Sequence, residues 1–273
     1  MSFIAAERAA EAIGPERLDM MRALPDLAIG AVAGRDSIAA IVAAVRGGEF
    51  SAVLPTSVAT GTEYGDTDAP LDAVRMLREL LAETADVLDP VRIGSPTLWA
   101  AINGHVAAEV RARWGLYSPC LACHLYVHLA RVPLAWALGG VPIITGERDM
   151  HDGRLKLSQS EAAIDAETRV LAHAGVELLT PVRKAVDTEL ERLVPGWERG
   201  VRELCCVLSD NYRRLDGSVE LDPAAYAAYI REFFEPVGRA IVDEWRLGVG
   251  VRDYDGVVRS VLAAAPDRPR AER

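Results

Sequence analysis

The sequence predicts an α/β protein, a doubly wound parallel sheet followed by a helical C-terminal extension. Apolar runs without polar alternation, such as LAIGAVAG at 27–34 and VPIIT at 141–145, suit strands covered on both faces. Segments of helical period separate these runs as far as residue 182, which is the βαβ pattern of a parallel sheet. From about Arg183 onward the pattern turns to helix alone.

The division expected is a helical cap at 1–25, a nucleotide-binding α/β domain at 26–184 and a helical region at 185–273. In the cap, Ile4, Ala9, Ile13 and Leu18 recur among charges at roughly helical spacing, and Gly14-Pro15 divides two short helices. After the first strand a small-residue turn opens a helix from about Asp36 to Val45, and Ser51–Pro55 reads as the second strand. The segment 56–69 (TSVATGTEYGDTDA) reads as a long polar loop, and loops at the carboxyl ends of parallel strands carry ligands. A helix over 70–86 returns the chain to a third strand near Pro90–Ile93, and another helix follows from Thr97 through Arg113. Ser118 caps the next helix ahead of Pro119, and that helix runs to Gly139-Gly140. VPIIT and GVELLTPV (175–182) are the fourth and fifth strands, with a helix over 158–174 between them.

The C-terminal helices are read at 186–194, 198–215, 224–247 and 254–265. Trp197, Tyr226, Tyr229, Phe233, Phe234 and Trp245 collect here, which fits core packing or a homo-oligomer contact, and a homo-oligomer is expected. The tail 268–273 (RPRAER) reads as a disordered end.

The 273 residues are half hydrophobic, enough for a sizeable core. The formal charge of −10 repels phosphate backbones and argues against general nucleic-acid binding. Short basic clusters such as Arg183-Lys184 read as solvated faces. With no apolar stretch of 18 residues and no basic start ahead of an apolar run, no membrane span or secretory signal is expected, and the cytoplasm is the expected location. Four cysteines, at 120, 123, 205 and 206, are too few and too locally paired for a disulfide framework, so metal binding or thiol chemistry is the better use for them. Burial as small apolar side chains is the alternative.

Two segments carry the chemistry. The turn Val32-Ala33-Gly34-Arg35-Asp36-Ser37 joins a strand to a helix, a geometry that turns backbone N–H groups toward a phosphate. Cys120 and Cys123 stand at i, i+3 on one helical face near a helix N-terminus, which favours thiolate. His124 and His128 stand one turn apart on the same helix and suit either a metal or a helix interface, and His151 follows Thr145-Gly146 in a loop where a ligand would meet it. His105 and His173 have no partner visible in the sequence.

The turn resembles the SGGxDS signature of the PP-loop ATP pyrophosphatases, the adenine nucleotide alpha hydrolase group, through Gly34, Asp36 and Ser37; Val32 and Ala33 stand where that family has Ser and its first Gly. Thiolating members carry a Pro-Cys-x-x-Cys segment, then A-x-x-L-G, then a strand ending in T-G, and Pro119–Cys123, Ala135–Gly139 and Ile143–Gly146 are similar to these over about residues 26–185. The resemblance implies the HUP type of sheet, ATP and Mg²⁺ held by Gly34, Arg35, Asp36 and Ser37, and further nucleotide contacts from Thr145, Gly146 and Lys156, with Glu147 and Asp149 as additional candidates. It also implies an iron–sulfur-dependent thiolation enzyme in which Cys120, Cys123 and one of Cys205 and Cys206 hold a [4Fe-4S] cluster with one iron open for the transferred sulfur. A closed zinc site with a fourth ligand is the alternative.

The expected function is therefore an ATP-dependent sulfurtransferase, with Asp36, Cys120 and Cys123 as its catalytic residues. It would adenylate a substrate carbonyl and exchange its oxygen for sulfur from a separate donor. The acidic surface favours a small-molecule acceptor over tRNA. The alternatives are an adenylating ligase or amidotransferase with structural cysteines, and a nucleotide-binding protein without turnover.

Overall fold

A computed structural model describes residues 3–116, 118–149, 151, 153–198, 204–248 and 253–266. The tail read as disordered lies outside them. The chain forms two compact units, each assembled from three separate segments: a sheet unit of residues 1–94, 130–154 and 175–207, and a helical unit of residues 95–129, 155–174 and 208–273.

Nine strands occur among the described residues, all in the sheet unit: β1 (Ile4–Ala5), β2 (Leu27–Ala31), β3 (Ala52–Ala59), β4 (Glu63–Gly65), β5 (Asp86–Val87), β6 (Val91–Gly94), β7 (Ile143–Ile144), β8 (Leu178–Leu179) and β9 (Leu204–Cys206). Seven build one sheet in the order β1-β6-β3-β2-β7-β8, with β5 also on β3, and every pairing in it is parallel. The fold is the doubly wound α/β type expected. From β2 the chain winds outward through β3 to β6, then returns to the other side of β2 for β7 and β8. The order reverses between β2 and β7, the switch point where ligands of open α/β sheets bind.

β2 is buried along its whole length, which is why it carries no polar residue. Gly30 at its centre lets the helix Arg35–Arg46 pack close; an added Cβ would stand 2.7 Å from Ile41 Cδ1 and 2.9 Å from Val53 Cγ1. That helix buries Ile38, Ile41, Val42 and Val45 with Val74, Leu77 and Leu81 of the helix Ala69–Leu81.

In the helical unit, Trp114, Tyr229, Phe233 and Phe234 form a ring cluster with centroids 5.7–6.0 Å apart, and Trp245 donates its indole N–H to Tyr254. These aromatic side chains are core. Trp197 packs instead against the core of the sheet unit.

The structure departs from the sequence reading at three places along the chain. The second strand runs on to Ala59, and the polar loop after it contains β4. Of the helix read over 198–215, residues 199–203 lie outside the description, and from residue 204 on the chain is not helical: Leu204–Cys206 is β9, antiparallel to β4, and turns follow. An apolar run of three fits either period, and its pairing partner lies about 140 residues away, beyond any local signal. The helices read over 97–113 and 119–138 are each broken in two, at Asn103 and at Ala130-Arg131.

Candidate functional site

The turn Val32–Ser37 stands at the switch point. Val32 N–H donates to Thr56 O at 2.8 Å, which fixes the departure of the turn from the sheet. The Ser37 hydroxyl accepts from the amides of Ala33 (2.9 Å) and Gly34 (3.1 Å) and donates to Gly34 O (2.6 Å). Ser37 thus closes the turn upon itself, while the first N–H groups of any helix lack intrahelical partners. Gly146, just after β7, lies against that first turn. A Cβ on it would be 2.4 Å from Ser37 N and 2.5 Å from the carbonyl carbon of Asp36, so only glycine fits. Thr145 beside it is buried, its amide bonded to Leu179 O at 2.9 Å.

Charge concentrates beside the turn. Arg35 Nε meets Asp36 Oδ1 at 3.2 Å, Arg148 Nε meets Asp36 Oδ2 at 3.0 Å, and Asp187 Oδ1 lies 2.9 Å from a terminal nitrogen of each arginine. Arg148 also donates to Ala185 O at 2.9 Å. A third buried arginine, Arg131, donates to Thr56 Oγ1 at 2.8 Å and to Thr56 O at 3.2 Å. A largely apolar cavity borders Val32 on the face of the sheet, walled by Thr56, Ser57, Leu71 and Val74, with Arg92 at one side.

Glu147 is buried in the same loop, and Asp149 accepts from Arg183 (3.0 Å) and Lys184 (2.7 Å). Burial pushes the Asp149 carboxyl up, and those two bonds together outweigh it, holding the group below the usual carboxylate range. Arg183 and Lys184, read as a solvated face, are thereby partners of the loop. Lys156 belongs to the helical unit, where its carbonyl accepts from Gln159 N–H.

The cysteines divide between the units. Cys120 and Cys123 lie on the helix Pro119–Leu129 of the helical unit, and Cys205 and Cys206 lie on β9 of the sheet unit. None of the four forms a disulfide, and all are half-buried. Cys120 Sγ donates to Leu208 O at 3.1 Å and lies 3.6 Å from Asn211 Oδ1. Trp99 donates its indole N–H to Cys123 Sγ at 3.4 Å. Cys206 Sγ lies 3.1 Å from Thr62 Oγ1, which is 2.7 Å from Thr60 Oγ1. On a strand, Cys205 and Cys206 point to opposite faces.

His128 is buried beside Glu167 at 3.6 Å. His105 and His173 meet Asp255 (2.8 Å) and Asp243 (2.7 Å). His151 is buried in the sheet unit. Sequence reasoning missed Arg131, Arg148 and Asp187. Arg148 stands between two acids singled out after Thr145-Gly146, and Asp187 opens the helix Asp187–Leu193, a common place for an acid.

Among the described residues no helix is long and apolar enough to cross a membrane. No family model matches the chain. Over 226 residues it is 35% identical to a protein of Methanocaldococcus jannaschii that bears the name uncharacterized protein MJ0009, and the match spans 81% of each chain.

Proposed function

From a chain that belongs to the same family as the archaeal protein MJ0009, we propose an ATP-dependent sulfurtransferase that forms AMP. The observation that carries the reading is the turn Val32–Ser37 at the switch point of the sheet, with Gly146 pressed against its first helical turn. That is where an open α/β sheet takes a phosphate.

In this reading the N–H groups of the first helical turn bind the ATP phosphates, Gly34 leaves open the approach to them, Asp36 would hold the accompanying Mg²⁺, and the cavity beside Val32 takes the uncharged end of the ligand. The substrate carbonyl oxygen attacks the α-phosphorus and pyrophosphate leaves. Sulfur at the sulfide level, delivered by the donor, then bonds to the activated carbon and the C–O bond breaks, so that the oxygen departs on AMP with no net oxidation or reduction. The acceptor is a small molecule in preference to tRNA, in keeping with the formal charge of −10.

The sulfur half rests on Cys120 and Cys123. Neither is in a disulfide, and the Trp99 N–H on Cys123 is the kind of outer hydrogen bond that supports a metal-bound thiolate. They would supply two of the thiolate ligands of a [4Fe-4S] centre, a group that when bound would supply an iron site for the sulfur in transit. A second reading, nucleotide binding without turnover, is favoured by the engagement of Asp36 with Arg35 and Arg148.

The test is anaerobic purification with iron and acid-labile sulfide analysis, followed by measurement of AMP and pyrophosphate formation from Mg-ATP. Bound iron and sulfide lost in single serine variants at 120 and 123, with AMP formation lost in Asp36→Ala, are expected. The same variants at 205 and 206 assign any further ligand. Protein that takes up no iron on reconstitution overturns the cluster, and ATP bound without AMP formed favours the second reading.

A further inference from the structure

Arg35 and Arg148 are nearly buried, with side chains 9% and 4% exposed, and a guanidinium does not give up its proton. Asp36 takes the Nε of both, and one oxygen of Asp187 takes a terminal nitrogen of both at 2.9 Å. Two cations and two anions form a closed ring of no net charge. It joins three separate stretches of the sheet unit: the turn, the loop after β7 and the start of the helix Asp187–Leu193.

The geometry points to Asp187 as a specificity-determining positioning residue, one that restricts the turn to polyphosphate arriving with a divalent cation. The inference rests on the nucleotide reading of the turn. A bare anion meets as much negative as positive charge in the ring. To pair with Arg148 it has to displace a carboxylate, which then keeps Arg35 but loses one of its two ring cations in a partly buried place. A cation–polyphosphate complex brings a partner for each side, with the metal for Asp36 and phosphate oxygens for Arg148. Asp187 holds both guanidiniums through the exchange, because its shared oxygen contacts Arg35 and Arg148 without help from Asp36.

The experiment is calorimetric titration of full-length protein with inorganic pyrophosphate, once with magnesium and once with a chelator, using wild type, Asp187→Asn and Asp187→Glu. Wild type is expected to bind the magnesium form at least about tenfold more tightly than the bare anion, on the scale of one charge interaction at ring distances. In Asp187→Asn the bare anion tightens by about the same factor and the preference collapses, while Asp187→Glu keeps it. If circular dichroism shows that Asp187→Asn does not fold, Arg148→Gln decides. It leaves the ring with a net negative charge, so binding of bare pyrophosphate is lost and the magnesium form weakens about tenfold. Unchanged affinity for bare pyrophosphate in a folded Asp187→Asn, or in Arg148→Gln, overturns the assignment. Wild type that binds both forms equally overturns it while leaving the nucleotide reading intact, whereas wild type that binds neither removes both.

Discussion

Replacing Gly146 with alanine sets a methyl group 2.4 Å from the Ser37 nitrogen, 2.5 Å from the Asp36 carbonyl carbon and 2.7 Å from its oxygen. Carbon contacts settle near 3.5–4.0 Å, so about 1 Å has to be found, and every obstacle is main chain rather than the end of a flexible side chain. Overpacking of this kind costs about 1–3 kcal/mol, and rigid neighbours place this case near the upper figure. At about 2–4 °C per kcal/mol in a chain of this size, the melting temperature should fall by roughly 6–12 °C. Gly34→Ala is the control. Its added Cβ meets nothing within 4 Å and its φ of −151° suits any residue, so stability should stay within about 0.5 kcal/mol of wild type. Thermal denaturation with ATP titration on both variants separates packing from binding. Gly146→Ala should lose stability and affinity together, and Gly34→Ala affinity alone, because its methyl occupies the approach to the turn. A Gly146→Ala protein that melts with wild type would refute the close approach. Full ATP affinity in Gly34→Ala would refute the phosphate reading.

Gly30→Ala drives its methyl into Ile41 Cδ1 and Val53 Cγ1 and should cost about 1–3 kcal/mol in urea denaturation. Ile41→Val removes the nearer atom, so the double variant should be more stable than the sum of the two by about 1 kcal/mol, and strict additivity would contradict the packing described. The Asp149 carboxyl lies below its ordinary value because Lys184 and Arg183 outweigh its burial. A carboxyl lowered in the folded state contributes stability that is present above the unfolded value, near pH 4, and is lost as pH falls through the folded one. The urea midpoint of wild type should decline below about pH 4, and Asp149→Asn should flatten that decline; an unaltered profile would show that the pair carries no linkage.

Much of the candidate site was legible because it is local. The run LAIGAVAG, the small-residue turn and the helix after it are contiguous, and Thr145-Gly146 ends an apolar strand, so hydrophobic period and glycine placement locate them without tertiary information. The cysteines of 120 and 123 are legible as a pair for the same reason, since i, i+3 spacing on a helix sets their common face. Cys205 and Cys206 were misplaced on a helix because their partner strand, Glu63–Gly65, is remote and too short to announce itself.

The sequence by itself determined the class of fold, the place of the turn and the residue types available there, since each follows from periodicity and backbone preference within a few residues. Only the tertiary structure decided that Gly146 seals the turn and that the units are assembled from interleaved segments. It alone decided that Arg148 reaches both Asp36 and Asp187. Ion pairs between residues 36, 148 and 187 depend on how parallel strands are ordered in the sheet, and that order is set by the summed burial of many apolar side chains, which no single stretch of sequence records.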